Sequence, residues 1–118
     1  RFQVALLKGT IACEQDDPAL ARTSLVEADR YHITNTTLLA ARERLAGNIF
    51  LLEGSPAKAA AAFDRAAALF REAKRYRDMA LTLRQAGQAY REAGDTRRAE
   101  DRLSRAKRSL AAQGEKAE

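Results

Sequence analysis

The chain has no tryptophan, one histidine, one cysteine and two prolines in 118 residues, and only 6% of it is aromatic. Each scarcity removes a class of explanation. Cys13, being alone, cannot close an internal disulfide or build a cysteine-based metal cluster. His32 has no second imidazole with which to hold a metal, and neither Ser-His-Asp nor Cys-His chemistry has an evident setting. Nowhere does the chain stay apolar for the roughly 20 residues that a membrane-spanning helix needs. A glycine-rich phosphate loop is missing too. Gly47 and Gly54 are separated by Asn48-Ile49-Phe50-Leu51-Leu52-Glu53, which reads as helix. The expectation is a protein without metal, cofactor or catalytic centre.

What remains is rich in alanine, leucine, arginine and glutamate, all strong helix formers, and 46% of the chain is hydrophobic. That predicts an all-α fold, and the length suits one domain. The net charge of +5 is uneven: residues 1–57 hold six basic and seven acidic side chains, residues 58–118 fifteen and nine. Basic and acidic residues interleave, as on solvated helix faces, although a basic second half also suits an acidic partner. Residue 1 is Arg rather than Met, and Phe2-Gln3-Val4-Ala5-Leu6-Leu7 reads like helix interior. The chain is therefore expected to be a piece of something longer. It is assigned to the cytoplasm, with the periplasm left open.

The strongest signal is internal repetition. Ala46-Gly47-Asn48-Ile49-Phe50 aligns with Ala86-Gly87-Gln88-Ala89-Tyr90 forty residues later. The same shift carries Gly54 to Gly94, Ser55 to Asp95, Ala59 to Ala99, Phe63 to Leu103 and Ala66 to Ala106. A shift of thirty-eight in the other direction finds Gly9, Asp17, Pro18, Ala21, Leu25 and Ala28. Each copy reads as two helices joined by a tight turn. Asp17, Ser55 and Asp95 are expected N-caps, since a side-chain oxygen there can accept from an orphan amide of the first turn. Pro18 and Pro56 follow at the first helical position, where a missing N–H costs nothing. Gly54 and Gly94 stand where the preceding helix ends, and Asp16 replaces that glycine in the first copy. Mid-helix Gly9, Gly47 and Gly87 each cost about 1 kcal/mol against alanine, which implies close approach of a neighbouring helix. Ala21, Ala59 and Ala99 are the expected facing residues, with Leu25, Phe63 and Leu103 filling the space on the same face.

The order Gly-x-x-Phe/Tyr, then Gly, then Ala-x-x-x-Phe/Leu-x-x-Ala resembles the tetratricopeptide repeat family across nearly the whole chain. The repeats are lengthened, at thirty-eight to forty residues against the usual 34 or so, in a form similar to that of large bacterial regulators and of kinesin light chains. Two departures stand out. The aromatic expected four residues before the mid-helix glycine is replaced by Ala5, Glu43 and Leu83. The proline that normally ends the second helix is replaced by Ile33, Arg71 and Ala111. The resemblance implies an α-solenoid of three antiparallel helix pairs over residues 1–114, with repeats at about 1–33, 36–75 and 76–113 and a tail at 115–118.

It also implies a concave surface lined by the first helix of each pair. The implied lining comprises Gln3, Leu6, Thr10, Cys13, Ala41, Arg44, Asn48, Leu51, Leu52, Leu81, Arg84, Gln88, Arg91 and Glu92. Arg44 with Asn48 and Arg84 with Gln88 are equivalent i, i+4 pairs of a cation and an amide. Arg44, Asn48 and Gln85 match by type three positions of the carboxylate clamp of some family members. The expected function is a non-catalytic interaction module that binds another protein or an extended peptide, an acidic segment included. Nucleic-acid binding through the basic second half ranks below it, because Asp78, Glu92, Glu100 and Asp101 interrupt the basic face. Homo-association is expected to run through exposed Phe2 and Leu6.

Overall fold

A computed structural model describes the backbone of residues 1–117 and the side chains through Gly114. Six helices follow one another: α1 (Phe2–Glu14), α2 (Pro18–Ala28), α3 (Thr36–Leu52), α4 (Pro56–Glu72), α5 (Tyr76–Glu92) and α6 (Thr96–Ala117). No strand occurs among the described residues. Each helix packs on the next in the chain, and α1 also packs on α3.

The turns show why the helices stop where they do. Gly54 and Gly94 adopt φ of 78° and 85°, and Asp16 takes the same left-handed conformation at 57°. Lys74, between α4 and α5, does so as well at 60°, with no glycine to announce it. In all four turns the next residue's N–H returns to a carbonyl five residues back. The donors are Asp17, Ser55, Arg75 and Asp95, and the acceptors are Ala12, Phe50, Phe70 and Tyr90. That bond closes the last helical turn on its own orphan carbonyl. The α2–α3 link, residues 29–35, has neither this bond nor a left-handed residue.

The helix starts agree with the sequence in two of three expected places. Asp17 accepts from the Leu20 N–H and Asp95 from the Arg98 N–H. Ser55 makes no side-chain cap bond, so Pro56 begins α4 without that help. Asn35 caps α3 by accepting from Leu38. At the far end α6 continues through the expected tail to Ala117, and Glu118 lies outside the described residues. Residues 111–117 contain no proline to stop it.

Alanines dominate the core. Ala21, Ala28, Ala59, Ala66, Ala99 and Ala106 are all buried, beside Leu25 and Phe63, so most of the repeated small residues do line helix–helix seams. Phe50, Tyr90 and Leu103 pack there half-buried. The three mid-helix glycines sit where helices touch most closely. A Cβ at Gly47 would lie 2.6 Å from the Phe63 ring, and one at Gly87 would lie 2.7 Å from Leu103 and 3.1 Å from the Ala99 carbonyl. At Gly9 the neighbour is Leu45 of α3, at 2.6 Å, rather than Leu25 of its own copy. The aromatic-replacing positions Ala5 and Leu83 are buried. Glu43 is neutralised instead, held by Arg42 at 2.8 Å and Arg65 at 3.1 Å.

One expectation is reversed at the start of the chain. Phe2 and Leu6 are buried, so they offer nothing to a second copy. The exposed side of α1 carries Val4, Leu7 and Ile11. Leu6 therefore leaves the implied groove lining as well. Because α1 is apolar on every side, its periodicity does not single out an inward face.

Candidate functional site

The face formed by the first helix of each repeat holds two open depressions. Between α3 and α5, Arg44, Leu81, Arg84, Gln85 and Gln88 surround the first. Between α1 and α3, Thr10, Cys13, Glu14, Asn48, Leu51 and Leu52 surround the second. Six of the seven residues expected to meet a partner line one or the other. Arg91 is exposed on α5 and lines neither.

The α3–α5 depression has an unusual charge setting for this chain. No acidic side chain lines it. Among the described residues no carboxylate lies within 4.0 Å of Arg44 or Arg84. Arg44 is positioned by its stem in the helix and by the Phe70 ring, over which its guanidinium sits 5.2 Å from the centroid. A cation over an aromatic face keeps its fork of N–H donors directed outward. Gln85 and Gln88 add amide donors and acceptors beside it. Leu81 supplies an apolar wall. Such a set can take a carboxylate bidentately and hydrogen-bond an extended backbone alongside.

Other arginines are committed to inter-helix ion pairs. Arg22 pairs with Glu53, and Arg42 reaches Asp29 at 2.8 Å. Arg102 of α6 binds Asp64 of α4 at 2.9 and 3.1 Å, while the Tyr90 hydroxyl of α5 donates to the same carboxylate. The Arg102 guanidinium also lies 5.4 Å from the centre of the Tyr90 ring. This knot raises the Tyr90 phenol above its usual range, chiefly through burial and then through the bond to Asp64. The sequence reading missed Asp64 and Arg102 as a pair. Their partnership spans thirty-eight residues, and Val26 and Ala62 stand at the equivalent places one copy earlier.

Cys13 and His32 have plain surroundings. Burial, and then the Glu14 carboxylate, push the Cys13 thiol upward, away from the reactive thiolate. His32 is exposed in the α2–α3 link rather than at a helix end, because α2 stops at Ala28. No group of three metal-ligating side chains occurs among the described residues, and no helix there is long and apolar enough to cross a membrane. No family model matches the chain, and no curated protein or solved structure shows significant similarity to it.

Proposed function

We propose that the chain is a tetratricopeptide-like α-solenoid of three antiparallel helix pairs that binds an extended acidic segment of another protein. Binding runs through the face of α1, α3 and α5, and the α3–α5 depression is its centre. Arg44 and Arg84 take the carboxylates. Gln85, Gln88 and Asn48 hydrogen-bond the backbone, and Leu51 offers an apolar contact. The observation that carries this reading is the pair of arginines facing an open depression without acidic neighbours, in a chain where so many arginines are spent on ion pairs. Guanidinium groups without a carboxylate partner keep their N–H donors available for a ligand.

The same pairs weigh against nucleic-acid binding by α6. Arg98 is held by Asp95, and both Arg102 and Arg105 meet Asp101, so much of the helix's positive charge is already compensated.

Selection from a random peptide display library tests the proposal. Enriched peptides should carry aspartate or glutamate, and capture should weaken steeply with added salt. Arg44→Glu with Arg84→Glu should abolish capture while leaving helicity and melting nearly unchanged. Undiminished capture by the double variant would remove the site.

A further inference from the structure

Val4, Leu7 and Ile11 make one stripe on the outer side of α1, with Lys8 and Glu14 beside it. They are 44%, 60% and 43% exposed. The repeat supplies its own comparison. In α3 the equivalents of Leu7 and Ile11 are Leu45 and Ile49, at 3% and 0%, buried where α1 and α2 pack on α3. In α5 the equivalents of Val4 and Ile11 are Thr82 and Ala89, at 0% and 1%. The two remaining equivalents, Arg42 in α3 and Gln85 in α5, are half-buried, with Gln85 at the α3–α5 depression. Most but not all of this side of a first helix thus packs where a neighbour is present; in α1 it carries apolar residues and lies open.

We infer that the stripe is the contact between two copies of this chain, with the two α1 helices packed antiparallel about a two-fold axis. The charge pattern of α1 fits that occupant. Antiparallel pairing that sets Val4 against the partner's Ile11 also sets Arg1 against the partner's Glu14, and brings each Leu7 close to the two-fold axis. Both ends of the helix therefore meet opposite charge, while the two Lys8 residues flank the axis, where their flexible stems can carry the ammonium groups out to water. A head-to-tail arrangement fails the same comparison. It would lay Val4, Leu7 and Ile11 on α6, whose exposed side is charged with both signs, carrying Arg97, Glu100, Asp101, Arg105, Lys107 and Arg108.

Sedimentation analysis of the 118-residue chain, from micromolar to millimolar concentration, reads the result. A species of twice the 13.0 kDa chain mass is expected. Leu7→Glu should leave only monomer with full helicity, since Leu7 faces outward. Glu14→Lys should weaken the dimer at least tenfold, and Arg1→Glu combined with Glu14→Lys should restore it. A wild-type chain that stays monomeric, that grows indefinitely beyond the dimer, or that dimerises unchanged with Leu7→Glu overturns the inference. Failure of the charge-swapped pair to recover overturns the antiparallel register.

Discussion

The aromatic ring of Phe63 lies against the backbone of Gly47, so that a methyl group added there would stand 2.6 Å from Cε1. Phe63 is fully buried, which leaves the ring little room to retreat. Gly47→Ala sets a helix-propensity gain of about 1 kcal/mol against overpacking of about 1–3 kcal/mol. The expected result in urea melts is net destabilisation. Gly114→Ala is the control, because nothing lies within 4 Å of a Cβ at that position. It should be neutral or stabilising by up to about 1 kcal/mol.

Removing the helix caps should separate residues that look alike in the sequence. Asp17→Ala and Asn35→Ala each delete a bond to a first-turn amide and should cost about 1 kcal/mol. Ser55→Ala deletes no such bond and should change stability by a few tenths at most. An equal loss at all three positions would show that the Ser55 hydroxyl caps α4 after all.

The Tyr90 phenol gives stability a signature in alkali. Its folded-state ionisation lies above the usual value for tyrosine, through burial and the bond to Asp64, with Arg98 and Arg102 opposing the rise. A group raised on folding contributes fully below its unfolded value. That contribution is lost as pH climbs from about 10 through the folded value. Tyr90→Phe should flatten this alkaline decline relative to wild type. The check is the wild-type-minus-variant difference in unfolding free energy, followed upward from about pH 9. Parallel curves would contradict it.

Asp64 and Arg102 join α4 to α6 across α5, and both side chains are partly shielded from water. A double-mutant cycle with Asp64→Ala and Arg102→Ala should return a coupling of about 1 kcal/mol or more. The same cycle on Arg75 and Asp78, whose arginine is largely exposed, should return much less. Comparable couplings would mean that the knot around Tyr90 holds no better than a surface pair.

Much of this architecture is legible in the residues because its causes are local. Gly54 and Gly94 announce their turns, and Asp16 was recognisable as a substitute because aspartate tolerates positive φ better than most residues. Gly47 and Gly87 announced close contacts because a mid-helix glycine is costly without one. Lys74 gave no such sign, because lysine is not a residue that favours positive φ, yet its turn closes with the same Arg75-to-Phe70 bond as the others. The face of α1 was misread because Phe2, Ala5 and Leu6 alternate with Val4, Leu7 and Ile11, leaving no polar stripe to orient the helix. Glu43, standing where the resemblance expects an aromatic, is met by Arg65 twenty-two residues on, a partnership that no local spacing records. At the candidate site, the equivalence of Arg44 and Arg84 could be read from the repeat. That their depression holds no acid depends on where every other carboxylate ends up in space, and no periodicity records that.

Four of the five inter-helix connections are locked by the same returning amide, and the segment between Ala28 and Thr36 is not. That segment is accordingly where the chain would tolerate a cut or a spliced-in sequence. Trypsin should nick first after Arg30, and the two fragments should stay together through the apolar seam around Leu45 and Ile49. The molecule thereby contains a natural place to divide it into a short and a long piece that reassemble on mixing.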